Sequence, residues 1–386
     1  MASKSISPQA SPPLHLTKGL VILASLALTL TLYALVAFRK ADPGLPAFGA
    51  FYESGRAWWR GDFLYPMTKG GPNMNPPLAT AAFFGPLALL PLGVAQFVWT
   101  AAGLLALAGS VSLIVRELRL SATSTVWLVA ALSVTYGSFY VWAHGQVTWL
   151  LLYPVTRSWV EFRHGRSVRA GMWLASAIAI KPNLAFAALL LPPPLWVVAG
   201  LASLGLTLVG IWWTGWAAWQ AWLKTLGSVA WLAYPANASL WGVASRLQTG
   251  TELGGSVADL HAAWTVAIVA CGVAAAWVTV REDSADRRMG AALVFALLVS
   301  PLGWVYYSPF VLGPVTSTWS SANRMLWLAL ACLCVPVPLL VTAWQHSPLL
   351  IRTLGNVYTA GLLALWIAWT LIVPRRAVAA AAAREA

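Results

Sequence analysis

The groups in this 386-residue chain whose types could do chemistry are few: Asp42, Glu53, Arg56, Asn75, His144, Gln146, Lys181, Asn183, Asn237, Ser239, Arg246 and the adjacent Tyr306 and Tyr307. A carboxylate can take a proton, an ammonium or guanidinium can meet an anion, and amides and phenols can hold hydroxyls. They stand out because so little around them is polar. Of all residues 59% are apolar and 9% charged, against roughly a quarter charged in a soluble domain. Polar groups at membrane depth are costly, so those that persist near one face are candidates for a site. The plain alternative for each is a loop end that caps a helix or bonds to lipid headgroups.

The elements that must position these groups are membrane helices. A bilayer core takes about 20 apolar residues per spanning helix, and such runs recur from residues 20–38 to residues 358–373. The reading is an all-α polytopic membrane protein with one membrane domain, residues 18–374, between cytoplasmic tails at 1–17 and 375–386. The first run has no small-residue cleavage site after it and reads as a retained helix rather than a signal peptide. The net charge of +13 is spread over short loops, the pattern of orientation signals, which argues against nucleic acid as a partner. Cys271, Cys332 and Cys334 lie in apolar runs and read as packing thiols. No Cys/His spacing suits a metal, and no cofactor is expected.

With the N-terminus inside, about 12 crossings place two long loops, residues 40–76 and 214–261, on the outer face. The arginine turns at 116–119, 163–169, 281–288 and 324 fall inside. Residues 170–191 could pass for one span, but Lys181-Pro182 sits at its centre, where proline breaks the hydrogen-bond ladder. Splitting it into two short helices that meet at the outer face brings both long loops to the same side. Residues 48–59 and 213–226 are aromatic and amphipathic, as expected of helices lying in the interface. On this threading every candidate named above falls at the outer side. No inverted internal repeat of the transporter kind is visible.

Six stretches, in order, resemble glycosyltransferase family 87, the polyprenol-phosphate-mannose-dependent mannosyltransferases of the GT-C superfamily. They are FYESGRAWWRGDFLYP, NPPLATAAFFGPLALLPLGVAQFVW, GQVTWLLL, AIKPNLAF, NASLWGVASRL and SPLGWVYYSPFVL, covering residues 51–312. The resemblance implies a GT-C fold and an inverting transfer of a hexose, mannose in the type members, to an acceptor hydroxyl on a lipid or glycan. The donor is a polyprenyl-phosphate carrier, at the outer face of the cytoplasmic membrane. It also implies cations against the departing phosphate, for which Lys181 and Arg246 are placed, with Arg56 in reach. A carboxylate early in the first outer loop serves as general base. Gln146, Asn237, Tyr306 and Tyr307 are the groups that could hydrogen-bond sugar or acceptor. Metal is not required for donors of this type.

The chain departs from the family twice. Ala47 stands where the family has its catalytic aspartate, leaving Asp42, five residues earlier in ADPGLPAFG, or Glu53 as the base, or neither. Asp42 also suits a turn before Pro43. In SPLGWVYY the family histidine is replaced, and Tyr306 and Tyr307 can donate a hydrogen bond but carry no charge at neutral pH. Two rivals follow: an inactive relative that still binds polyprenol lipid, and a lipid or small-molecule transporter, which would show broken helices in two corresponding halves.

Overall fold

The computed structural model describes residues 45–228, 230–319, 323–343 and 347–372, and among these every regular element is helical. Four stretches are long and apolar enough to cross a bilayer unaided: α3 (Leu92–Leu118), α9 (Pro193–Thr214), α12 (Ala262–Thr279) and Pro348–Thr370, the last built from α17 (Pro348–Arg352), a 3₁₀ turn and α18 (Val357–Thr370). Two bent pairs raise the number to six. This is a multi-pass membrane protein.

The bent pairs interrupt two apolar runs that hydropathy alone would read as straight. α4 (Ala122–Val134) and α5 (Tyr136–His144) meet at 65°, and α15 (Arg324–Cys334) and α16 (Val337–Ala343) at 49°. At the first, Thr135 is extended and its hydroxyl accepts from the Ser138 amide at 3.4 Å, so one helix stops and a second is capped without a linker. At the second, Val335 precedes Pro336, whose ring disfavours helical geometry in the residue before it. The break expected at Lys181-Pro182 is present. α7 (Ser167–Ile178) ends, Lys181 adopts φ −128° and ψ 85°, and a 3₁₀ turn at Pro182–Leu184 leads into α8 (Ala185–Ala188).

Charge fixes which helix ends lie together. Arg163, closing α6 (Thr148–Arg163), reaches Glu117 of α3 at 3.2 Å and Asp286 of α13 (Ala285–Val299) at 3.1 Å. Asp286 also accepts the Trp159 indole N–H at 2.8 Å, and His164 pairs with Glu117. The buried Glu161 lies between Arg157 and Arg166. Three arginine turns separated by some 170 residues of chain are thus drawn into one ionic knot. The other ends of α6, α7 and α13 lie beside Gly145, Lys181 and Pro301, far along each helix from that knot.

Candidate functional site

Two loops opposite the ionic knot are locked together by one amide. Asn237, fully buried, donates to the carbonyls of Leu232 at 3.0 Å and Pro301 at 2.8 Å, and its Oδ1 accepts from the amides of Ser239 and Gly303. Backbone bonds from Ala238 to Gly303 and from Val305 to Ala236 complete the seam. Asn237 therefore spends its amide on the scaffold, and its contribution to a site is to place Tyr234 and Trp304.

Arg246, on α11 (Leu240–Thr249), extends that scaffold. Its guanidinium has no exposed surface. Nη1 donates to the carbonyls of Tyr234 and Asn237 at 3.0 Å, and Nε to Oδ1 of Asn356 at 2.9 Å. Nη2 is buried without a partner. Burial pulls the pKa down to about 9, which leaves the group cationic at neutral pH. Most of this cation is used to gather carbonyls, and one N–H pair remains to meet an anion.

Above this seam the 3₁₀ segment Val305–Val311 carries an aromatic stack. Tyr306 lies between Trp304, with centroids 5.7 Å apart, and Tyr140 of α5, at 5.3 Å, both nearly parallel. Tyr140 stacks in turn on His144 at 3.7 Å, and Tyr136 on Tyr358 at 5.7 Å. The close approach depends on Gly137, where a Cβ would fall 2.6 Å from the Val305 carbonyl oxygen. Tyr307 meets Tyr306 edge-on, and the Lys181 ammonium lies 5.8 Å from the Tyr307 ring centre. Lys181 is 8% exposed and makes no ion pair among the described residues. In its turn between α7 and α8, burial pushes its pKa down to about 7. Among the described residues this buried ammonium has only an aromatic face for company, a setting that suits an anion brought by a ligand.

The structure thus brings Lys181, Tyr306, Tyr307, Asn237 and Arg246 together, from four separate stretches of sequence. It places three other candidates apart from that group. Glu53 and Arg56, on α1 (Pro46–Arg60), pair with each other at 3.2 Å, Glu53 being 39% exposed. Gln146 follows the left-handed Gly145 and lines a separate crevice with Leu45 and Trp99. Asp42 lies outside the described residues. Among the described residues no three of His, Cys, Asp and Glu stand close enough to share a metal ion.

Sequence reasoning missed Tyr136, Tyr140, Tyr234, Trp304 and Asn356. An aromatic residue in an apolar run carries no mark that separates a site wall from packing. The one usable signal was density: four tyrosines and three tryptophans fall within residues 136–149 and 304–307, next to Gly145 and Gly303.

A buried ammonium beside a phenol ring, in a fold whose adjoining seam holds a guanidinium with a free N–H pair, suits a phosphate-bearing ligand. The sequence profile of Glycosyltransferase family 87 matches residues 73–301. The chain is 29% identical, over 357 residues, to the polyprenol-phosphate-mannose-dependent alpha-(1-2)-phosphatidylinositol pentamannoside mannosyltransferase of Mycolicibacterium smegmatis; the alignment covers 83% of this chain and 81% of that protein. The matched profile spans more than half the chain and includes Gln146, Lys181, Asn237 and Arg246, so the chain belongs to glycosyltransferase family 87 and is a membrane glycosyltransferase.

Proposed function

We propose that the protein transfers a hexose, mannose in the first instance, from a polyprenyl-phosphate carrier to a hydroxyl of a lipid or glycan acceptor. The reaction is placed at the outer face of the cytoplasmic membrane, on a GT-C fold of about 12 spans. The observation that carries this reading is Lys181, a buried ammonium with no carboxylate partner among the described residues, set beside Tyr307 in a chain whose mycobacterial relative is named for a polyprenol-phosphate-mannose donor.

In this reading the acceptor oxygen attacks the anomeric carbon from the face opposite the phosphate. The carbon–oxygen bond to phosphate breaks, and the departing lipid phosphate gains a second negative charge. Lys181 and the free Nη2 of Arg246 meet that charge as it develops. The acceptor proton passes to a carboxylate of the first long loop, Asp42 in this account, with Glu53 second because it already engages Arg56. Tyr306 and Tyr307 hold the sugar through their hydroxyls. Two observations support a single outer site. The first and second long loops touch, the Trp222 indole N–H donating to the Met74 carbonyl at 3.3 Å and Trp231 covering Gly71. The arginine turns gather at the opposite helix ends.

The test is binding of polyprenyl-phosphate mannose to protein in lipid nanodiscs. Wild type is expected to bind, and Lys181→Ala to bind at least tenfold more weakly. Equal binding by the two proteins would remove Lys181 from the donor site and, with it, the main support for this reading.

A further inference from the structure

At the end of the molecule that holds the ionic knot, the turn between α6 and α7 and the start of α9 border an open cleft of about 500 Å³, within the roughly 300–1,000 Å³ typical of small-molecule sites. Its described lining is Gly165, Arg166, Ser167, Val168, Arg169 and Pro194, which brings two guanidiniums and a hydroxyl to it and no carboxylate.

The pairing around this turn leaves positive charge over. Glu161, 1% exposed, takes both Arg157, at 2.8 Å, and Arg166. Arg166 reaches that carboxylate through Nε and keeps 43% of its side chain exposed. The exposed Arg169 guanidinium makes no hydrogen bond or ion pair with any described residue. Three arginines therefore share one carboxylate, and the two that line the cleft are the two with surface to offer. Their backbone is held firmly. Gly165 turns the chain at φ +70°, and the Ser158 hydroxyl donates to the Ala170 carbonyl at 2.8 Å. At Gly171, a Cβ would fall 2.6 Å from the Leu195 carbonyl oxygen, so α7 and α9 are in close contact there. A cationic cleft on a fixed frame loses less ordering entropy on binding than one on a loose loop.

One turn further along both helices the exposed side chains are apolar: Met172 and Trp173 on α7, Trp196 and Val197 on α9. Charge at the helix ends followed by apolar helix faces suits an anion that carries hydrocarbon chains, whereas a free phosphate would use the charge alone. Basic pockets between membrane helices take anionic headgroups on this principle.

We infer that the cleft between the α6–α7 turn and the start of α9 binds the phosphate of an anionic membrane phospholipid, whose acyl chains lie along the exposed faces of α7 and α9. This site lies at the opposite end of α7 from Lys181 and does not depend on the transferase reading.

The experiment is native mass spectrometry of the full chain in detergent, titrated with dioleoylphosphatidylglycerol, for wild type, Arg169→Gln and Arg116→Gln. The Arg169 change leaves both Glu161 pairs in place, and Arg116 is an exposed arginine on α3 that controls for net charge. The first lipid is expected to bind Arg169→Gln more weakly than wild type by about fivefold or more, the worth of one basic residue at a membrane surface. Its affinity for Arg116→Gln stays within twofold of wild type. Dioleoylphosphatidylcholine, with the same chains and no net charge, binds wild type at least fivefold more weakly. Equal weakening by the two arginine changes, or none by either, overturns the site. So does phosphatidylcholine binding as tightly as phosphatidylglycerol. Displacement of the lipid by an equal concentration of glycerol 3-phosphate would overturn it in favour of a soluble phosphate ligand.

Discussion

Lys181 and Arg246 are both buried cations, yet the structure gives them different work. Lys181 has no ion-pair partner to lose among the described residues, so its replacement should cost function rather than fold: Lys181→Ala is expected to cut transfer by about 10²-fold or more, the scale of losing one charge-stabilising donor, with little change in melting temperature. Its pKa of about 7 sets the direction of a pH effect. The cation is present below that value and lost above it, and the donor's phosphodiester does not titrate in this range. Donor affinity therefore falls from pH 6 to pH 8.5 in wild type, and the slope vanishes in Lys181→Arg, where the guanidinium stays charged. Titrating donor binding across that range checks both. Arg246 holds two loops through three carbonyls and Asn356. Arg246→Met should lower stability by about 3 kcal/mol or more, because the bonds of a buried charged group are lost together. Thermal unfolding in detergent reads this directly. From sequence alone the two looked alike, since neither burial nor the identity of a carbonyl partner is written in residue type.

At the scale of elements, the Lys181-Pro182 break was legible because proline forbids the ladder that would otherwise continue. The 65° turn at Thr135 was not, because threonine is common inside helices and only its extended backbone reveals the new cap. That turn matters: it creates α5 as a separate short helix carrying Tyr136 and Tyr140 against the segment Val305–Val311. The contact closes through Gly137, and Gly137→Ala should cost about 1–3 kcal/mol by overpacking. It should also lower transfer, because the strain is relieved by moving Tyr306 off Tyr140. A parallel loss of melting temperature and activity is expected; an unchanged protein would show that α5 does not position the stack.

For the whole molecule, composition sufficed to show a membrane protein, and six ordered motifs sufficed to reach its family. What composition could not supply was length: several crossings read from apolar runs are built from helices shorter than a bilayer or bent at a cap, so hydropathy alone overstates their regularity. Pairing was equally hidden, because Glu117, Arg163 and Asp286 are far apart in the chain and meet only in the fold. The sidedness proposed here predicts that cysteines introduced at Lys69 and Asp259, one in each long loop, react with an impermeant maleimide on intact cells, whereas one at Arg169 reacts only after permeabilisation. Labelling of Lys69 and Asp259 from opposite sides would break the single-site account.

The most direct test of that account is mannose transfer from synthetic polyprenyl-phosphate mannose by purified, liposome-reconstituted protein, comparing wild type with Asp42→Asn and Glu53→Gln. The account predicts turnover in wild type, a loss of about 10²–10⁴-fold in Asp42→Asn as expected for removal of a general base, and near-normal transfer in Glu53→Gln. Transfer undiminished by either change, or no transfer by wild type, would contradict it.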